Sequence, residues 1–378
     1  MTVTHADPYY LIVIPIRDTL SKIEPYVPGK RVEGAVKLSS NENPLGMSPT
    51  ARNAAEHALS AASIYPDGSA TALRSALAAA HGLPAEQFII GNGSDEIMML
   101  SAATFLEAGM STVMGAHTFS QYEFVTRVFG GVPRKVAMED GAYPVAEIAG
   151  AVDENTRMVF LCNPNNPTGT SFSHAELESL LEAVPDDVLV IEDEAYHEYV
   201  DSPAYPRSLE LLKRFDNLLV LRTFSKIYGM AGLRVGYGMG NPEMLRNIIR
   251  TKQPFNVGSV SQAAAAAALA DTEFVARSQE LNRRGKTYLG AELSRLGLAF
   301  LESEANFLCI EMNRDASHVA SELTQLGVTI RPLGSFGLPT MIRATIGTQE
   351  QNELLVSSLE RIVAEWQPKQ PHLATGEM

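Results

Sequence analysis

RTFSKIYGMAGLRVGY, residues 222–237, is the stretch on which the reading of this chain turns. The apolar run 218–221 leads into it and predicts a short buried strand. Thr223, Ser225 and Lys226 follow at once, where a strand end presents side chains to a crevice. Arg234 comes eight positions after Lys226, behind the small residues Gly229, Ala231 and Gly232. One amine, two hydroxyls and one guanidinium beside a buried strand make a site for an aldehyde and an anion. A lysine amine forms a Schiff base with a carbonyl. Hydroxyls and an arginine hold a phosphate. Pyridoxal phosphate carries both groups. Taken alone, Lys226 reads equally as one more solvated lysine, so the rest of the chain has to decide.

The 378 residues are too many for one small core and predict a large domain with a smaller one. Apolar residues make up 45% and charged residues 20%, an ordinary soluble globular composition. A formal charge of −14 argues against nucleic acid and against an anionic membrane surface as partners. An anionic small molecule must then be held by local arginines and backbone amides. Cys162 and Cys309 each sit in an apolar context and read as buried free thiols of a reducing, cytoplasmic compartment. No apolar run reaches the ~18 residues that span a bilayer. Residues 9–16 are apolar but short, with Asp7 before them and Pro15 inside. They make a poor signal peptide and read as an arm that packs on another surface, such as a second subunit.

From Asn41 to Phe255 short apolar runs recur at 88–90, 112–114, 158–162, 188–191, 218–221 and 233–238. Helix-like stretches separate most of them, among them 51–60, 96–106, 173–182 and 209–215. Strands alternating with helices predict an α/β fold, a mostly parallel sheet covered by helices on both faces. Ligands on such sheets bind beyond the carboxyl ends of the strands. After Ser261 the pattern changes to a long helix at 273–296, short strands at 307–311, 328–331 and 341–345, and a last helix at 350–365. The expected organisation is an arm and part of the small domain in 1–43, a large domain in 44–260 and a smaller α+β domain in 261–378.

Three polar clusters follow the predicted strands. GNGSDE, residues 91–96, offers backbone amides at a helix start as an anion cradle, and equally a simple capped turn. It is neither G-x-G-x-x-G nor a P-loop. NPNNPTG, 163–169, is turn composition placed directly after a buried strand. DEAY, 193–196, puts Asp193 at a buried strand end, where an ionised carboxylate needs a cationic partner. A protonated pyridine nitrogen would serve and would make the ring an electron sink. Arg331 and Arg343 lie in IRPLGSFGLPTMIRATIGT of the small domain, and an anion is the attractive partner for Arg343. The eight histidines show no metal-ligand spacing, and no G-x-S-x-G elbow occurs, so neither a metal site nor a serine hydrolase is expected.

Together these motifs resemble the fold-type I pyridoxal-phosphate aminotransferases, and within them the histidinol-phosphate aminotransferase family. EPYVPGK, KLSSNENPLG, IYPDG, GNGSDE, NPNNPTG, DEAY, SK, AGLRVGY, IRPLGSFGLP and IRATIGT stand in the family's order over nearly the whole chain. The resemblance implies that Lys226 is the Schiff-base lysine and shuttles the proton between the substrate α-carbon and the cofactor C4′. It implies that Asp193 pairs with the pyridine nitrogen and that Asn166 and Tyr196 bond the phenolic oxygen. Ser94, Asp95, Ser225 and Arg234 match the phosphate cradle, and Phe119 the position that stacks on the ring. Tyr65 matches a residue that reaches the cofactor phosphate of a neighbouring subunit, which implies a homodimer with shared sites. Arg343 matches the arginine for the substrate's anionic group, and Asn41, Tyr26 and Arg331 match further substrate-side positions.

Two departures bear on the substrate. Ile227 stands after the lysine where the family usually has a small residue, and is expected to narrow that wall of the pocket. Phe119 replaces a tyrosine of many relatives. The function implied is ping-pong transamination between an amino donor and a 2-oxo acid, first histidinol phosphate with 2-oxoglutarate, in histidine biosynthesis. The alternative is an aromatic amino acid aminotransferase, and a related decarboxylase would release carbon dioxide. A regulator with an aminotransferase-like sensor would need a basic DNA-binding domain, for which the residues before Asn41 carry no helix pair.

Overall fold

The computed structural model describes residues 15–21, 23 and 32–366. Tyr26, most of the expected arm at 9–16, and the tail from residue 367 lie outside the described residues.

A short strand, β1 (Val36–Lys37), precedes the strands of the main sheet, β2 (Phe88–Gly91), β3 (Ser111–Gly115), β4 (Val132–Val136), β5 (Thr156–Cys162), β6 (Leu189–Asp193), β7 (Leu218–Thr223) and β8 (Gly236–Gly240). They assemble in the order β2-β8-β7-β6-β5-β3-β4, parallel throughout except for β8, which runs antiparallel to both its neighbours. The central strands are buried end to end, as a sheet with both faces covered requires. Their near-continuous apolar content is what made them visible in the sequence.

Beyond the main sheet, β9 (Phe307–Glu311), β11 (Arg331–Pro332) and β12 (Met341–Thr345) form an antiparallel sheet of order β11-β12-β9, and β10 (Val328–Thr329) pairs with β1. The single strand expected at 328–331 is therefore two strands in two sheets. Leu38, Leu289, Leu323, Ile342 and Leu359 belong to a second hydrophobic cluster, separate from that of the main sheet.

Two expectations need correction. The helix Ser259–Ala270, placed by the sequence in the smaller unit, buries Ala264, Ala265 and Ala268 in the first cluster, packed on the helices Pro49–Ala58 and Thr71–His81. Its polyalanine run permits that close approach. The strand expected at 233–238 starts only at Gly236, because Ala231–Leu233 forms a 3₁₀ turn and Arg234 takes a left-handed conformation, φ 51°.

Candidate active site

The carboxyl ends of β5, β6 and β7 open on one cavity, lined by Ser94, Asp95, Phe119, Asn166, Asp193 and Tyr196, with Cys162, Ala195, Thr223, Ser225, Lys226 and Arg234 completing the wall. The strand ends are where a parallel sheet offers side chains to a ligand.

Lys226 follows β7 by three residues. Its Nζ donates to the Ser40 carbonyl at 3.3 Å and lies 5.5 Å from the centre of the Tyr196 ring. Burial, then the Arg343 guanidinium, lowers its pKa to about 8. At pH 7 roughly a tenth of this amine is therefore uncharged, far more than of an ordinary lysine, and the uncharged form is the nucleophile.

Asp193 ends β6 and is buried. Oδ2 accepts from the Tyr122 hydroxyl at 2.9 Å and Oδ1 from the Ala195 amide at 3.2 Å. Burial pushes its pKa up to about 7, against the hydrogen bond from Tyr122. Among the described residues no cationic side chain lies within salt-bridge distance of it. A buried acid in that position is arranged for a cation that the described residues do not provide.

Opposite, the helix Ser94–Phe105 points its first turn at the cavity. Its N-cap is Gly93, which makes no side-chain cap, so Ser94 and Asp95 are not spent on capping; Glu96 instead reaches back to the Asn92 amide at 2.6 Å. Arg234 Nη1 meets Ser225 Oγ at 3.3 Å and Nη2 meets Asp95 Oδ2 at 3.3 Å. The backbone is packed closely here: a Cβ on Gly236 would stand 2.5 Å from the Ser94 amide nitrogen, and one on Gly93, φ 81°, would run into the Arg234 guanidinium. Amides at a helix start, a hydroxyl and a guanidinium around one point make an anion cradle.

Behind the lining residue Asn166, Arg343 of β12 donates from Nη1 to Asn166 Oδ1 and from Nη2 to the Ser39 carbonyl at 3.1 Å. Tyr196 accepts from Asn41 Nδ2 at 2.9 Å, which leaves its own proton for an acceptor in the cavity. Asn41, φ 57°, is fixed by Thr345 and Asn306. Residues 39–41 thus stitch the small unit to the cavity wall.

The family model Aminotransferase class I and II matches residues 33–359. The chain belongs to this family. Curated relatives include the histidinol-phosphate aminotransferase of Moorella thermoacetica, 45% identical over 92% of this chain and 93% of that protein. That of Symbiobacterium thermophilum is 43% identical, covering 93% of this chain and 99% of its own. A solved histidinol-phosphate aminotransferase from Sinorhizobium meliloti, in complex with pyridoxal-5'-phosphate, superposes with a TM-score of 0.85 at 26% identity, over 93% of this chain and 98% of that one. The fold is accordingly the fold-type I arrangement implied by the motifs.

Three further residues singled out in the sequence of this aminotransferase lie outside that lining. Tyr65, expected at a neighbouring subunit's site, is 80% exposed and stacks on Phe255 with ring centres 4.8 Å apart. Arg331 of β11 lies in register opposite Arg343 of β12. Ile227 is fully buried in the core of the main sheet and is not among the lining residues, so it does not narrow the pocket as expected. Sequence reasoning gave no role to Cys162 and Tyr122. Tyr122 lies in the helix Gln121–Val128, just after Phe119, and nothing in its spacing points to Asp193.

Proposed function

We propose that this aminotransferase transfers an amino group between histidinol phosphate and 2-oxoglutarate, using pyridoxal phosphate held in the cavity. The observation that carries the reading is the donor set around one space: the Lys226 amine, the Asp193 carboxylate and the cradle of Ser94, Asp95, Ser225 and Arg234. An aldehyde, a protonated ring nitrogen and a phosphate, all on one molecule, match these three elements in chemistry. When bound, pyridoxal phosphate supplies an electron sink for the substrate α-carbon. Lys226 would carry the proton to and from the substrate α-carbon. Asp193 would hold the protonated ring nitrogen, Tyr196 and Asn166 the phenolic oxygen, and Phe119 would cover one face of the ring. Arg343 receives the anionic end of donor or acceptor, phosphate in one half-reaction and carboxylate in the other. Asn41 orients Tyr196; Arg331, the register partner of Arg343, and Tyr26 are kept as substrate-side residues on sequence alone.

The relatives named above support histidinol phosphate as the donor. The exposed pair Tyr65 and Phe255 supports a homodimer in which Tyr65 serves the partner's site. Two buried free cysteines fit a reducing, cytoplasmic setting. The test is a comparison of kcat/KM on histidinol phosphate and on phenylalanine, each with 2-oxoglutarate. A preference of tenfold or more for phenylalanine would replace the donor, and release of carbon dioxide would replace the reaction.

A further inference from the structure

Tyr122 belongs to the helix Gln121–Val128 and has no exposed surface. Its ring lies flat on Phe160 of β5, centres 4.8 Å apart and planes within 9°. Its carbonyl accepts from Thr126 Oγ1 at 2.7 Å, and that hydroxyl meets Thr112 Oγ1 of β3 at 2.8 Å. Ring and backbone are both fixed against the sheet, so the hydroxyl has one direction available, toward Asp193 Oδ2 at 2.9 Å. With the Ala195 amide on Oδ1, two donors grip the carboxylate.

Other titratable groups face this acid: Asp95 from the helix Ser94–Phe105, Cys162 from β5, Tyr196 after β6, and Lys226 after β7. Asp95 disfavours a negative charge there and Lys226 favours one, while Cys162, pushed up by burial, stays a neutral thiol. Among these groups Tyr122 alone gives Asp193 a hydrogen bond. Burial raises the phenol's own pKa, so it remains a donor at any working pH.

We infer that Tyr122 is a positioning residue for the proposed reaction: its hydrogen bond turns the Asp193 carboxylate into the cavity and keeps it ionised, so that the acid pairs with a protonated ring nitrogen. The inference rests on the assignment of Asp193 to the ring nitrogen of pyridoxal phosphate. Without the hydroxyl, the proton shared between acid and ring moves toward the acid. The ring then loses positive charge, and a second positive charge near it becomes easier to hold.

The test uses the full chain as Y122F and D193N, loaded with pyridoxal phosphate. Three quantities are read: the dissociation constant of the cofactor, the pH midpoint of its visible absorbance band, and the melting temperature of the cofactor-free protein. Y122F is expected to bind the cofactor on the order of tenfold more weakly, the usual effect of losing a hydrogen bond to a charged group. Its absorbance midpoint is expected to move up, in the same direction as in D193N but less far. Cofactor-free Y122F is expected to melt near the parent, since the ring stack survives. Parent-like affinity and midpoint in Y122F, where D193N shifts both, would remove Tyr122 from this role and leave Asp193 in its own. A D193N chain with neither shift would remove the assignment on which the inference stands. Cofactor-free Y122F melting far below the parent would make the hydroxyl a stability element and overturn the proposal.

Discussion

Arg222 Nε donates to Glu194 Oε2 at 2.7 Å, with both side chains buried on the side of the sheet turned away from the cavity. Asp193 and Thr223 line the cavity, and their chain neighbours Glu194 and Arg222 face the other way. Burial alone would raise the Glu194 pKa; Arg222 and His197 reverse this and hold it low. Ser208 Oγ donates to the remaining oxygen at 2.7 Å. The pair ties the ends of β6 and β7, the strands that carry the acid and lead to the amine. Breaking a buried pair leaves an uncompensated charge, so E194Q is expected to lose about 3–5 kcal/mol of unfolding free energy. Urea unfolding of the cofactor-free protein measures this. The double change E194L/R222M, which removes both charges, should recover much of the loss.

The acid beside the cavity predicts an unusual pH dependence. Asp193 has a folded pKa raised to about 7 from an ordinary 3.8, burial being the main cause. A raised folded pKa means that the folded state holds more protons between those two values. Its contribution to stability is full below pH 4 and is lost as pH rises through 7. Cofactor-free D193N lacks this loss, so at pH 8 it is expected to be more stable than the parent by on the order of 2–4 kcal/mol. The difference should shrink toward zero near pH 4. Chemical denaturation at pH 4, 6 and 8 checks it; a constant difference across the three would remove burial of a charged Asp193 as the cause.

Gly236 has a separate reason to be glycine. An added methyl group would meet the Ser94 amide at 2.5 Å and the Gly93 carbonyl carbon at 2.8 Å, both backbone atoms that cannot swing aside. G236A is expected to push the start of the helix Ser94–Phe105 out of the cradle and to weaken binding of pyridoxal phosphate by roughly a hundredfold, while Gly232, with open space around it, should tolerate alanine. Fluorescence titration with the cofactor separates the two variants.

Arg343 presents a planar fork already oriented by Asn166 and by the Ser39 carbonyl. Lysine keeps the charge and loses the fork. R343K is expected to raise KM for 2-oxoglutarate by about tenfold to a hundredfold with a smaller effect on kcat. Steady-state kinetics with the donor held saturating gives the two constants separately; an unchanged KM would move the anion to another residue.

Much of this was legible in the chain because the main sheet is buried on both faces. Its central strands are apolar runs, and each polar cluster sits directly after one of them. The strand β4 was missed for the opposite reason: at the sheet edge its VPRKV is half exposed and polar, with a proline that an interior strand would not accept. The late start of β8 was illegible because it depends on the left-handed turn at Arg234, where the arginine is fixed by the cradle it serves and not by local preference. Ile227 was misplaced because it lies in the turn after β7, where neither strand nor helix spacing says which side chain faces the core. Tyr122 stayed hidden because a tyrosine on the buried face of an amphipathic helix reads as core, and only the 2.9 Å contact with Asp193 reveals its second use.

The most direct measurement of the central claim is covalent mapping of the amine. The protein is saturated with pyridoxal phosphate, reduced with borohydride, digested, and the modified peptide identified by mass. The account predicts one pyridoxyl group per chain, on Lys226, and no turnover in K226A, in which the rate should fall at least about a thousandfold. A pyridoxyl group on another lysine, or a K226A chain that still transaminates at the parent's rate, would contradict it.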